Sequence, residues 1–235
     1  MKENIYTTPQ GAYYKKNPGW HIEDSAWKAK QVMQMIGQNK LEPHSIAEVG
    51  CGAGEMLNVM HSCMQDKTIE FSGYEISPDA IELCATRTKE RLNFFQGDLL
   101  LTENKYDLLL MIDVFEHVED YLGFIKKHSE RARYKIYHIP LDISLLSVFT
   151  NYPLAARKDV GHLHYFMKDT ALATLEDTGQ EVIDWFYTKT AFEINNRRAN
   201  FSGKFMNIFR RFFYWIKPGF AVKTFGGFSL IVLTR

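Results

Sequence analysis

The sequence predicts an α/β fold built on a doubly wound, mostly parallel sheet, and three observations predict it. From Ser45 onward, short β-branched and apolar runs alternate with stretches of helical spacing, as in a parallel sheet covered on both faces. Tyr106–Ile112 is almost wholly apolar, which suits a central strand buried on both sides. Ile46-Ala47-Glu48-Val49 runs straight into Gly50-Cys51-Gly52-Ala53-Gly54, a strand followed by a glycine turn that brings backbone N–H groups against a ligand.

Taken in order, the polar, turn-rich residues 1–19 read as a mobile leader. Ile22, Ala26, Ala29, Met33 and Ile36 then recur at helical spacing, with Gly37 as the stop. Trp20 stands before that helix as its anchor. Together these make residues 1–40 a leader and lid helix, ahead of a domain spanning 41–235. Strands are expected at Ile46–Val49, Ile69–Tyr74, Leu92–Phe95, Tyr106–Ile112 and Tyr134–Ile139. Helices are expected between them at Glu55–Met64, Pro78–Lys89 and Tyr121–Arg133. Ser77 is placed to cap the second of these, with Pro78 in its first turn. Residues 141–160 form an insertion with a helix around Ser144–Phe149. A helix at Asp169–Asp177, a strand at Val182–Tyr187 and a last strand after Gly226-Gly227 complete seven strands. The segments 141–168 and 190–225 are read as insertions that cap the substrate.

Bulk properties narrow the function. The chain has 235 residues, 46% hydrophobic and 24% charged, with zero formal net charge. No global field draws it to nucleic acid. Three cysteines without metal-ligand spacing suit a reducing cytoplasm, and no run of about 18 apolar residues is present to span a membrane. The expected location is cytoplasmic.

Acidic residues follow the strands: Glu48 in the first, Glu75 after the second, Asp98 after the third, Asp113 after the fourth. In parallel sheets this edge is where ligands bind. A carboxylate at Glu75 can accept both ribose hydroxyl protons. One at Asp98 can accept from an adenine amine while the Leu99 N–H donates to the ring. Carboxylates near Glu48 and Asp113 suit an ammonium-bearing tail and repel a pyrophosphate. Glu55 also stands where the last glycine of a dinucleotide G-x-G-x-x-G would be.

On Glu48 through Gly54 and on Asp113-Val114-Phe115-Glu116-His117-Val118, the sequence resembles the class I S-adenosylmethionine-dependent methyltransferases, in particular their small-molecule, ubiquinone-type O-methyltransferase branch. The resemblance covers residues 46–166. It implies a Rossmann-like, seven-stranded sheet with an antiparallel final strand, and S-adenosylmethionine as cofactor. It places Glu48, Gly50, Gly52 and Gly54 around the methionine moiety, Glu75 at the ribose, and Asp98 with Leu99 at the adenine; Cys51, Ile76 and Asp113 complete the expected cofactor-binding residues. His117 and His162 are the candidate catalytic bases, since a hydroxyl acceptor must lose a proton near neutral pH. The reading carries no metal. Were one bound, Asp113, Glu116, His117 and His162 would be its candidate ligands, with His164 as a further donor.

No Asn-Pro-Pro-Tyr follows the fourth strand, which disfavours methylation of base amines. The expected acceptor is an oxygen of a small molecule or sugar/polysaccharide precursor. Residues 196–223 hold seven Lys or Arg, no Asp or Glu, and many aromatics. Phe201, Phe205, Ile208, Phe209, Phe212 and Ile216 recur at helical spacing, with Pro218-Gly219 as the stop. This predicts a helix packing its apolar face on the sheet or over the pocket. Two alternatives stay open: a peripheral membrane contact serving a quinone precursor or lipid-linked substrate, and a cofactor-binding interaction module without turnover.

Overall fold

The computed structural model describes residues 7–11, 14–15, 17–20, 22–194 and 201–235. The remainder of the leader, and residues 196–200 of the basic aromatic segment, lie outside the described residues. In chain order the elements are α1 (Ile22–Gln38), β1 (Ser45–Val49), α2 (Glu55–Cys63), β2 (Glu70–Glu75), α3 (Pro78–Cys84), β3 (Leu92–Gln96) and β4 (Tyr106–Ile112). Then come α4 (Tyr121–Ser129), β5 (Ala132–Pro140), α5 (Leu145–Phe149), α6 (Tyr152–Asp159), α7 (Lys168–Asp177) and β6 (Val182–Thr188). The chain closes with α8 (Thr190–Glu193), α9 (Phe201–Ile216), α10 (Pro218–Phe225) and β7 (Ser229–Thr234).

The seven strands form one sheet in the order β3-β2-β1-β4-β5-β7-β6. Those up to β5 pair in parallel, and β7 runs antiparallel between β5 and β6. Alternate residues of each central strand supply the two faces. Leu108, Leu110, Ile136 and Ile231 pack under α1 and α2 with Val32, Met35, Leu57 and Met60. Leu109, Met111, Tyr137 and Val232 pack on the other face with Ile125, Leu175 and Val222. Every residue of Leu108–Met111 is fully buried, which is why that stretch carries no polar alternation.

The structure corrects four local expectations. The α1 helix runs one residue past Gly37, and its buried stripe is Ala29, Val32, Met35 and Ile36, while Ala26 is exposed. Both α3 and α4 end early: Ala85–Arg87 tightens into a 3₁₀ turn, and Ala132 and Arg133 already belong to β5. Residues 152–159, left unassigned from sequence, form a helix with Pro153 in its first turn. Pro218 does end α9, but it also opens α10, because a proline fits a first helical turn without losing a hydrogen bond.

The largest correction concerns α9. The apolar face expected to pack inward points outward: Phe205, Ile208, Phe212 and Ile216 are exposed, and Trp215 is 83% exposed. The inward stripe is Gly203, Asn207 and Arg210, with Asn207 only 3% exposed and Phe213 and Tyr214 resting on the core. The helix is turned inside out because its inner side borders a cavity rather than the sheet.

Candidate active site

Because the chain leaves β1 toward β2 and β3 and returns to the other side of β1 as β4, the carboxyl ends of β1 and β4 flank the switch point of the sheet. A cavity of about 1250 Å³ opens there. That exceeds the ~300–1000 Å³ typical of one drug-sized ligand, so two molecules fit side by side.

At one end, Gly50 and Gly52 take φ of 71° and 54°, which a side chain would resist. The Gly50 and Cys51 N–H groups donate to the Tyr74 carbonyl at 2.8 and 3.2 Å, fixing the loop to β2. The Gly52 N–H donates to Glu75 Oε2 and the Ser77 N–H to Glu75 Oε1, both at 2.8 Å. Each carboxylate oxygen therefore keeps a lone pair for another donor. Burial pushes the Glu75 carboxyl upward, against the pull of those N–H groups. Glu48 lies nearby, buried, with no hydrogen bond to Oε2 among the described residues. Burial pushes its pKa up to about 8, although Lys28 draws it down. An incoming cation would relieve that burial.

Asp98 accepts from the Leu100 N–H (2.9 Å) and from His128 Nε2 (3.0 Å), both on Oδ1. The His128 bond holds the Asp98 carboxyl below its usual value and leaves Oδ2 for a ligand. Asp113, at a left-handed φ of 52°, is held by Lys28 Nζ at 2.8 Å and His138 Nδ1 at 2.6 Å. Burial works against its charge, yet His138 and Lys28 keep it far below the ordinary carboxylate range. His138 Nε2 in turn meets Thr188 Oγ1 at 2.9 Å.

Of the residues singled out from sequence, Glu48, Gly50, Cys51, Gly52, Glu75, Ile76, Asp98, Asp113, His117 and His162 line the cavity, whereas Gly54 and Leu99 do not. Gly54 is there for packing, since a Cβ would sit 2.5 Å from the Phe94 ring. The Leu99 side chain is fully buried in the core.

Farther along, the Glu116 carbonyl accepts the Leu163 and His164 N–H groups at 2.8 and 3.2 Å, which brings His162 over His117, ring centroids 4.9 Å apart. His162 Nδ1 meets Asp142 Oδ2 at 2.6 Å, fixing that nitrogen as the donor and leaving Nε2 as the basic one. Burial lowers the His162 pKa, but Asp142 and Glu116 more than offset it and the net direction is up. Glu116 is fully buried, and among the described residues neither carboxylate oxygen has a hydrogen-bond partner. Burial pushes it up to about 8. Glu116, His117 and His162 each offer a ligand atom, all within 4.8 Å of one another. Asp113 is not in that group, and its charge is taken by Lys28 and His138. His164 is not either: its Nε2 meets the Val118 carbonyl at 2.9 Å and its ring lies against Tyr121.

Sequence reasoning missed Lys28, His128, His138 and Asp142. Each is a lone polar residue, and nothing local marks its distant partner.

The profile of the methyltransferase-domain family matches residues 20–184. The chain therefore belongs to the methyltransferase-domain family: it is an enzyme, and S-adenosylmethionine is its methyl donor. No protein of curated function matches it in sequence. Among solved structures, it is similar to magnesium protoporphyrin IX methyltransferase from Synechocystis PCC 6803 with bound SAH, at 15% identity and TM-score 0.60. That match covers 98% of this chain and 91% of that one. It is also similar to a SAM-dependent methyltransferase from Archaeoglobus fulgidus, at 16% identity and TM-score 0.62, covering 95% and 99%. A mitomycin 7-O-methyltransferase matches at 15% identity and TM-score 0.57, covering 90% of this chain and 54% of that one. At these identities the likeness is one of fold.

Proposed function

We propose that this enzyme moves the methyl group of S-adenosylmethionine to an oxygen of a small molecule or of a sugar or polysaccharide precursor, as in the ubiquinone-type branch. The observation that carries the reading is the Asp142–His162 pair in the same cavity as the strand-end acids. Glu75 takes the ribose hydroxyls and Asp98 the adenine amine. Glu48 and the Gly50–Gly52 backbone take the methionine tail. Asp113 acts by anchoring Lys28, and so α1, over the cavity. The segments 141–168 and 190–225 cap the acceptor. An acceptor hydroxyl attacks the methyl carbon in line, the C–S pair returns to sulfur, and the proton passes to His162 Nε2 while Asp142 steadies the imidazolium.

Calorimetric titration with S-adenosylhomocysteine, with NADH alongside, tests the donor half. Micromolar binding of the first and none of the second is expected, and the reverse result overturns the assignment of the acids.

Two further readings have an observation each. The unpartnered Glu116 carboxylate favours a divalent cation held by Glu116, His117 and His162, which would act as a Lewis acid on the acceptor oxygen. The outward face of α9, with Phe205, Phe212 and Trp215 beside Lys204, Arg211 and Lys217, favours contact with an anionic membrane surface that presents a quinone precursor or lipid-linked substrate. No helix among the described residues is long and apolar enough to cross a membrane. Failure to sediment with phosphatidylglycerol-containing vesicles at low salt removes the membrane reading.

A further inference from the structure

At the end of the cavity away from Glu75, the lining comes from α5, α6, α9 and the Gly226-Gly227 turn, with Tyr152, Asn207 and Arg210 among its polar side chains. Among the described residues, Lys28 and Arg210 are the lysine and arginine side chains that line the cavity. Lys28 is neutralised by Asp113. Among the described residues Arg210 faces no carboxylate: its Nε donates to the Gly226 carbonyl at 2.9 Å, Nη2 to the Phe225 carbonyl at 3.0 Å, and Nη1 to Asn207 Oδ1 at 2.8 Å. All three acceptors are neutral. Of the five guanidinium N–H groups, one on each terminal nitrogen is left over.

The surroundings hold the guanidinium there deliberately. Asn207 is itself oriented by donating to the Ala191 carbonyl at 3.0 Å. Gly226 and Gly227 have φ of 60° and 81°, and a Cβ on Gly227 would come within 3.1 Å of Arg210 Cζ. The glycine pair thus turns two backbone carbonyls toward the arginine and leaves room for it. Burial lowers the Arg210 pKa, the expected cost of a partly desolvated cation without a counter-ion. Tyr152 does not supply one, because burial pushes its phenol upward and keeps it neutral.

We infer that Arg210, steadied by Asn207 and the Gly226-Gly227 turn, is the subsite for an anionic group on the methyl acceptor, a phosphate or a carboxylate. A planar fork with one free N–H on each terminal nitrogen matches such an oxyanion in bidentate fashion. The inference rests on the methyl-transfer reading and deepens it: the acceptor carries its negative charge at the end opposite the acids that hold the donor. The donor end offers such a group no comparable seat, because the Lys28 ammonium there is already taken by Asp113.

The test uses the full chain saturated with S-adenosylhomocysteine. Phenyl phosphate and benzoate are titrated against their neutral counterparts, phenol and benzamide. At least one anion is expected to bind ten times or more tightly than its neutral counterpart, with the preference shrinking as salt rises. Arg210→Gln should abolish the preference, and Arg210→Lys should retain part of it. S-adenosylhomocysteine affinity should be unchanged in both variants, which also reports that they are folded. A further arm with dihexanoyl phosphatidate distinguishes a lipid headgroup from a soluble phosphate by which binds tighter. Equal binding of anions and their neutral counterparts by the wild-type protein overturns the inference, and needs no variant to do so. An anion preference that survives in Arg210→Gln overturns it as well. If S-adenosylhomocysteine itself does not bind, it is the donor assignment that has failed.

Discussion

Glu75→Ala is the sharpest probe of the donor site. The carboxylate already accepts Gly52 and Ser77 N–H groups, and its two remaining lone pairs are assigned to the two ribose hydroxyls. A hydrogen bond to an ionised group is worth about 1.5–3 kcal/mol. The lower figure is taken for each bond, because the variant can admit water to the ribose hydroxyls. Two bonds then amount to about 3 kcal/mol, or ~100-fold in Kd. The assay is calorimetry with S-adenosylhomocysteine at pH 7.5, run beside 2′,3′-dideoxyadenosine and adenosine. The variant should lose its preference for adenosine over the dideoxy compound. Glu75→Gln should fall between, since it keeps one acceptor oxygen but sets an amide donor against a backbone N–H. A change below threefold in S-adenosylhomocysteine affinity, or an undiminished preference for the hydroxylated nucleoside, would refute the assignment of the ribose.

Three other outcomes follow from the geometry. His162→Gln should lower kcat by ~10²–10⁴ with S-adenosylhomocysteine affinity unaltered, and Asp142→Asn should shift the acidic limb of kcat/KM toward lower pH, because it removes what raises the His162 pKa. The native state holds a proton on Glu48 up to a pKa of about 8, against an ordinary 4.5, so it binds more protons than the unfolded chain between those values. Stability of the ligand-free protein should therefore fall as pH rises through that window. Glu48→Gln should flatten the fall and suppress the proton release that accompanies S-adenosylhomocysteine binding near pH 7, read by calorimetry in buffers of different ionisation enthalpy. If Glu116, His117 and His162 hold a cation, exhaustive chelation should reduce methyl transfer and added Mg²⁺, Mn²⁺ or Zn²⁺ should restore it. Transfer that is indifferent to chelation removes the cation.

What the sequence made legible has a local cause. A strand, a run of left-handed glycines and a following helix are dictated by backbone sterics within a dozen residues. An acid at or near the carboxyl end of each of four strands lands on one side of the sheet once the strands are parallel. The partners of those acids were not legible. Lys28 reaches Asp113 across 85 residues and His162 reaches Asp142 across 20, through register and packing that no periodicity encodes. The α9 segment shows the other limit. Its helical spacing was plain, but the rule that apolar faces turn inward presumes a solid core beneath. Here the helix roofs a cavity, so Asn207 and Arg210 face in and Trp215 faces out.

Besides Trp20 and the α1 residues Asp24, Ser25 and Lys28, most of the cavity wall comes from two sets of segments. Residues 48–52, 74–76, 97–98 and 112–119 furnish one end, and residues 140–163 and 190–229 supply most of the other. Each later segment departs from the sheet and returns to it: β5 leads into α5, and β6 into α8, with β7 closing behind α10. On the proposed function, the acceptor half is a pair of loops grafted onto the platform that holds the donor. Exchange of those two loops between relatives is a route to new acceptors that leaves the methyl donor's seat untouched, and variation among natural relatives should concentrate there.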